Sequence, residues 1–217
     1  MISIIIPTKN EPYIQTLVSD INKVLRQRHE IIIVDKSSVK PGVVGARLYI
    51  QKSKGLGNAI MEGLNYAKGE VIAIMDGDGS HDPIDLKKLI EKIPEYDIAI
   101  GSKLVKGGRT EDPFQRRIVT LCLSIFIRVV LLLNVKDPMT GFMVIKRSVI
   151  EDVKLKPKGF KIVLETIYKS RKRAKLIEVP ITFHKRKAGE SKVGYNINGY
   201  KEFFRIIILI INLRLDR

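Results

Sequence analysis

Short isoleucine- and valine-rich runs alternate with helical periodicity along the first hundred residues. ISIII (2–6), EIIIVD (30–35), RLYIQ (47–51), EVIAIMD (70–76) and DIAIGS (97–102) have the near-continuous apolar character of strands buried on both faces. Between the first two, Ile14, Leu17, Val18, Ile21 and Leu25 recur at helical spacing and predict a helix over roughly 12–28. Further helices are predicted from Leu56 to Ala67 and from Pro83 to Ile93, where proline suits the first turn. Strands joined by helices imply an α/β fold with a mainly parallel sheet covered on both faces, and such sheets bind ligands beyond the carboxyl ends of their strands. After residue 102 the pattern loosens. A Gly- and Lys-rich loop leads to an apolar segment (118–135), a turn at Asp137-Pro138 and a strand-like GFMVIK (141–146). A helix near 160–170, a strand KLIEVPITF (175–183), a basic loop HKRKAGESKVG (184–194) and a final helix follow. No repeat or linker divides the chain, so a single domain over 1–217 is expected.

Polar residues collect at the strand ends. The first strand runs into Pro7-Thr8-Lys9-Asn10-Glu11, the second into Asp35-Lys36-Ser37-Ser38, and the fourth into the run from Asp76 to Pro83. Asp76-Gly77-Asp78 is the sharpest feature. Two carboxylates flanking a small residue suit a divalent cation, Mg2+ or Mn2+, bridging them to substrate phosphates, with the glycine leaving room for a ligand. Ser80, His81 and Asp82 are candidates for further ligands, while Asp82 before Pro83 equally suits a helix cap. Histidine occurs only at 29, 81 and 184, which excludes a His-based zinc site. Lys54-Gly55-Leu56-Gly57-Asn58 reads as a phosphate cradle or a tight turn. It lacks the third glycine of a dinucleotide fingerprint and any Walker lysine. Glu11 and Asp35 are placed either to face a base or ribose or to cap loops.

Charge divides the chain in two. Of its 217 residues, 39 are Lys or Arg and 23 Asp or Glu, for a net +16. Residues 1–100 carry 13 basic and 13 acidic side chains, whereas 101–217 carry 26 and 10. The basic half therefore faces something anionic or presents a solubilising surface. Lys103, Lys106 and Arg109, then Arg116 and Arg117, then Lys185, Arg186, Lys187 and Lys192 form clusters suited to a diphosphate or a lipid phosphate. Segment 118–135 contains one charge, Arg128, and 203–213 one, Arg205; the first is borderline for spanning a bilayer and the second too short. They fit helices lying in a membrane interface, or ordinary core helices. Nucleic acid is disfavoured because the basic half has few aromatics and no reading motif. A single cysteine, Cys122, excludes an internal disulfide. The amino-terminal run is too short for a signal peptide, so a cytoplasmic location is expected.

In order along the chain, PTKNE (7–11), IIIVD (31–35), KGLGNAI (54–60), MDGDGSHDP (75–83), GSKLVKGG (101–108), DPMTGF (137–142), GFKIVLE (159–165) and RKAGESK (186–192) resemble the family-2 glycosyltransferases of GT-A fold, and more closely the dolichyl-phosphate mannose synthases. The resemblance implies a GT-A fold whose residues 1–102 bind a nucleotide sugar and whose residues 103–217 face acceptor and membrane. It also implies an activity: inverting, metal-dependent transfer of a sugar, most closely mannose from GDP-mannose, to the phosphate of dolichol or a similar polyprenol. By position, Pro7, Lys9, Glu11, Val34 and Asp35 line the nucleotide site, and Asp76, Gly77 and Asp78 hold metal and diphosphate. Lys103 stands near the reacting phosphates. Arg116 and Thr120 contact acceptor phosphate, and Arg186 and Lys192 flank a loop that closes on the donor. Asp78, Lys103 and Arg186 are the implied catalytic set. The chain departs from its relatives at Lys103, where arginine is common, at Ser80, where glutamine is frequent, at Lys36 for an acid, and at Lys9 for a tyrosine. Some relatives continue into transmembrane helices, so attachment to the cytoplasmic face is implied to be peripheral, through an anchoring partner, or lost by truncation. Two other readings stay open: the same reaction with UDP-glucose or another donor, and a non-catalytic nucleotide-sugar or membrane-binding module.

Overall fold

A computed structural model describes residues 1–156, 161–187 and 197–215, the stretch 197–205 by its backbone alone. In chain order its elements are β1 (Ile2–Thr8), α1 (Ile14–Val24), β2 (His29–Asp35), β3 (Arg47–Ile50), α2 (Leu56–Tyr66), β4 (Val71–Ile74), α3 (Pro83–Ile90) and β5 (Ile98–Ser102). There follow β6 (Arg109–Thr110), α4 (Phe114–Leu131), β7 (Met143–Lys146), α5 (Arg147–Glu151), α6 (Ile162–Ser170), β8 (Leu176–Pro180), β9 (Thr182–Phe183) and α7 (Ile197–Leu215). Seven strands form one sheet in the order β3-β2-β1-β4-β7-β5-β8, and β6 pairs with β9 in a small second sheet.

Each strand of the large sheet sends alternate side chains into opposite layers. Ile4 and Ile6 of β1, Ile31 and Ile33 of β2, and Ala73 of β4 pack towards α1 and α3. Ile5, Ile72, Ile74, Ile98 and Ile100 pack on the other side, against α4, α6 and α7. Burial on both faces is why these strands read as continuous apolar runs. Strands β1, β2, β3 and β4 are mutually parallel, as are β5 and β8. Their carboxyl ends, at Thr8, Asp35, Ile74, Ser102 and Pro180, therefore share one edge of the molecule.

The expectation of a mainly parallel sheet holds, with one reversal. Strand β7 runs antiparallel to both neighbours, Met143 opposite Ile74 and Ile100. Its amino-terminal end consequently enters at the same edge, bringing the 137–142 turn between Asp76 and Lys103. The strand expected over 175–183 is two. Pro180 has no N–H to continue a ladder, and beyond it Thr182 and Phe183 pair with β6 instead. Helix α1 is shorter than 12–28 because Leu25 turns to extended backbone.

The apolar segment around 118–135 is packed into the core along one side and exposed along the other. Helix α4 buries Ser124, Ile127 and Leu131, while Phe114, Ile118, Leu121, Ile125, Val129 and Leu132 are exposed on the opposite side. Helix α7, packed beside it, buries Ile206, Ile210 and Leu213 and exposes Ile208, Ile211 and Leu215. Among the described residues no helix is long and apolar enough to cross a membrane.

Candidate active site

The edge where the parallel strands end gathers most of the polar residues singled out in the sequence. Asp35, at the end of β2, is fully buried. Its Oδ1 accepts from Thr8 Oγ1 (2.8 Å) and Ser37 Oγ (2.6 Å), and its Oδ2 from Ser37 N (3.1 Å). The carboxylate thus ties the ends of β1 and β2 together. Pro7 is buried beside it; Lys9 is exposed; Glu11 is half-buried where the β1 loop turns into α1. The Val34 side chain lies in the core with Ile32 and Ala59, so only its backbone is left to meet a ligand. Lys36 reaches across to the Gln51 carbonyl at 3.1 Å.

Asp76 and Asp78 follow β4, held by the backbone between them. Gly77 has a structural reason to lack a side chain: a Cβ there would stand 2.8 Å from Thr8 Cγ2, inside the contact between β1 and this loop. Gly79 has φ of 77° and lies against the Tyr13 ring, a conformation and a space that suit glycine alone. Asp78 is buried. Its Oδ1 accepts from Ser80 N (3.0 Å) and Ser80 Oγ (2.6 Å), and its Oδ2 meets Arg186 Nε at 3.0 Å. The Asp78 carbonyl accepts from Lys187 N and the Ser80 carbonyl from His184 N, both at 3.0 Å. The 184–187 segment is therefore laced along the aspartate loop, with Lys187 Nζ also donating to the Tyr13 hydroxyl (2.9 Å).

His81 has a role that sequence reasoning missed. Its Nδ1 accepts from Asp76 N (3.1 Å), and its ring is sandwiched between Phe142, stacked at 4.5 Å, and Phe183, edge-on at 5.6 Å. Burial pushes the imidazole down, which keeps it neutral and able to accept. Asp82 spends one oxygen on capping α3 through Ile84 N (2.7 Å), so the capping alternative is the one realised. Ser80 donates its hydroxyl to Asp78.

Cations from the second half close the site. Lys103, at the end of β5, donates to Asp112 Oδ2 at 2.8 Å, and Arg116 on the first turn of α4 lies 3.4 Å from Asp112 Oδ1. Thr120 sits one turn further along the same side of α4 as Arg116, away from the exposed apolar stripe. Two more residues belong here without having been singled out. Lys161 is half-buried, with its ammonium turned inward to donate to the Met139 carbonyl (2.9 Å); loss of water around that ammonium drops its pKa to about 8 against the pull of Asp76 and Asp137. Asp137, whose carboxyl burial raises, accepts from the Lys103 backbone N–H at 3.2 Å. Their only signal was membership in GFKIVLE and DPMTGF. Lys192 lies outside the described residues.

As chemistry, Asp76 and Asp78 offer hard oxygen donors, and Asp78 Oδ2 already faces a cationic nitrogen. That fits a hard divalent ion. Among the described residues no group of three or more His, Cys, Asp or Glu could hold a metal ion. The Lys54–Asn58 segment takes its alternative reading: Gly55, at φ 96°, caps α2, and Gln51 Nε2 donates to its carbonyl (2.8 Å) in a closed turn.

The family described as Glycosyl transferase family 2 matches residues 3–154. A dolichol-phosphate mannosyltransferase of Pyrococcus furiosus is 38% identical over 208 residues, which are 88% of this chain and 59% of that protein. An undecaprenyl-phosphate mannosyltransferase of Micrococcus luteus is 33% identical, over 67% of this chain and 63% of the relative. A polyprenol monophosphomannose synthase of Mycolicibacterium smegmatis is 30% identical, over 99% and 88%. The chain thus spans about three-fifths of the length of the first two. Among solved structures, glucosyl-3-phosphoglycerate synthase from Mycobacterium tuberculosis, in complex with Mn2+, UDP and glucosyl-3-phosphoglycerate, superposes with a TM-score of 0.72 at 16% identity, covering 99% of this chain and 79% of its own. The fold is GT-A.

Proposed function

The chain belongs to glycosyl transferase family 2, and on that premise we propose that it transfers mannose from GDP-mannose to the phosphate of dolichol or a similar polyprenol, with inversion. The observation that carries this reading is a juxtaposition. The Asp76 and Asp78 carboxylates and the cations Lys103, Arg116 and Arg186 converge on one sheet edge, beside a helix whose far side is an exposed apolar stripe. The names of the curated relatives, all acting on polyprenol phosphates, support the acceptor class.

In this reading the whole chain is one catalytic domain, its first half holding the nucleotide sugar and its second the acceptor. Asp76 and Asp78 hold Mg2+ or Mn2+, which when bound supplies Lewis-acid stabilisation of charge on the leaving diphosphate. Pro7, Lys9, Glu11, Asp35 and the Val34 backbone border the base and ribose, with Gly77 shaping the floor. Arg186, together with Lys192, meets the diphosphate as its negative charge grows in an oxocarbenium-like transition state. Lys103, Arg116 and Thr120 orient the acceptor phosphate and offset repulsion between two anions. That phosphate is already ionised at neutral pH, so no side chain need act as general base. A polyprenyl acceptor lives in a bilayer, and the exposed stripe of α4 and α7 with the basic half would hold the enzyme peripherally on a cytoplasmic membrane face.

The test is direct. Purified protein in detergent with Mn2+, a polyprenyl phosphate and labelled GDP-mannose should move label into the organic phase. Label from UDP-glucose alone would replace the donor; none from either would overturn the proposal.

A further inference from the structure

Lys103 and Arg116 are far apart in the architecture, one at the end of β5 and the other on α4, yet they share a single carboxylate. Asp112 gives each of them one oxygen: Oδ2 to Lys103 Nζ at 2.8 Å and Oδ1 to Arg116 Nε at 3.4 Å. The carboxylate is itself fixed. Thr110 Oγ1 donates to Oδ2 and accepts from Asp112 N, both at 3.1 Å. Lys103 is held on further sides, its ammonium 4.2 Å from the centre of the Phe183 ring and its backbone N–H on Asp137. Burial alone would push the Asp112 carboxyl up, but the Lys103 ammonium and Arg116 guanidinium hold it below the usual carboxylate range.

A lysine is a point charge on a flexible stem, without the rigid fork with which arginine grips phosphate in two places. Left alone, Lys103 and Arg116 would also repel each other. A shared carboxylate removes both problems: it sets the spacing of the two cations in advance and leaves the trio with net positive charge for an incoming anion. We propose that Asp112 is the positioning residue of the acceptor site, holding Lys103 and Arg116 as one preformed cradle for the phosphate monoester of a prenyl phosphate. This rests on the acceptor class proposed above and names the residue on which acceptor binding depends.

The opposite view is also physical, and it makes the test decisive. If Asp112 merely competes with phosphate for the two cations, removing its charge tightens binding. Farnesyl phosphate binding is measured by calorimetry, and KM for dolichyl phosphate and GDP-mannose by steady-state turnover, for wild type, Asp112→Asn, Asp112→Glu and Lys103→Met. Asp112→Asn should weaken farnesyl phosphate binding and raise the acceptor KM by about tenfold while GDP-mannose KM stays within about twofold. Asp112→Glu should recover most of the loss, and adding Asp112→Asn to Lys103→Met should cost little more. Binding by Asp112→Asn that equals or exceeds wild type overturns the proposal, as does an equal rise in both KM values or a wild type that binds no farnesyl phosphate. A wild type that binds it but moves no mannose breaks the donor reading instead, and the binding comparison then decides on Asp112.

Discussion

The two halves of the site hold their charges in different ways. On the donor side, Asp35 is satisfied by Thr8 and Ser37, and Asp78 Oδ1 by Ser80, all neutral donors. The cation that does touch Asp78, Arg186, comes from the second half. On the proposed acceptor side, Asp112 is paired with charge, one oxygen to Lys103 and the other to Arg116. Neutral donors fix a carboxylate's position without cancelling its charge, as at Asp35, whereas Asp78 combines such donors on Oδ1 with the Arg186 guanidinium on Oδ2. Paired carboxylates trim an excess of positive charge to a few oriented cations.

The comparison can be broken most severely at Asp78. Asp78→Ala should reduce manganese-supported transfer at least about a thousandfold, with far-ultraviolet circular dichroism showing the fold retained at the assay temperature; wild-type turnover in that variant would remove the donor side from the mechanism. At Asp35 the expected damage is to stability. Alanine there strands the Thr8 hydroxyl and the Ser37 N–H, and urea unfolding should show a loss of about 2–3 kcal/mol. An unchanged midpoint would mean that these contacts are easily replaced. On the acceptor side, Ile125→Glu with Val129→Glu places charge in the exposed stripe of α4. Sedimentation with anionic liposomes should fall about tenfold while melting is unaffected, and retained binding would detach the stripe from the membrane.

The smallest effect is a pH dependence carried by Lys161. Burial lowers it from 10.5 to about 8. Below about 8 the folded and unfolded chains are both protonated at this residue and the buried cation weighs against folding. Between about 8 and 10.5 the folded chain releases a proton that the unfolded chain keeps, so stability climbs with pH. Urea midpoints across that window should rise for wild type more than for Lys161→Met; parallel curves would refute the assignment.

The donor half was legible because its strands are continuous apolar runs and its chemistry sits on the two or three residues after each run. Asp35, Asp76 and Asp78 were singled out that way, and the structure places them at one sheet edge. What stayed hidden depends on contacts across elements. GFMVIK reads the same whether its strand runs parallel or antiparallel, so the reversal of β7 left no trace. Lys161 in a helix cap, Asp137 in a turn and Asp112 before a proline carry no local mark of the partners they meet. His81 was weighed as a ligand, but only its two aromatic neighbours reveal it as the support of the Asp76 backbone. At Gly77 the close approach of Thr8, which a side chain would block, is likewise invisible in the sequence.

The reversal of β7 also governs what changes of length the chain tolerates. Phe142 and Val144 fill one core layer while Met143 and Ile145 fill the other. The turn leading into them carries Asp137, Met139 and Gly141 at the site. One inserted residue between Gly141 and Met143 must either slide the strand, exchanging Phe142 and Met143 between layers, or swell the turn against Asp76. Loops at the far edge of the sheet face no such choice. A scan of single-residue insertions, scored by soluble yield, should find this turn far less permissive than the connection from α1 to β2.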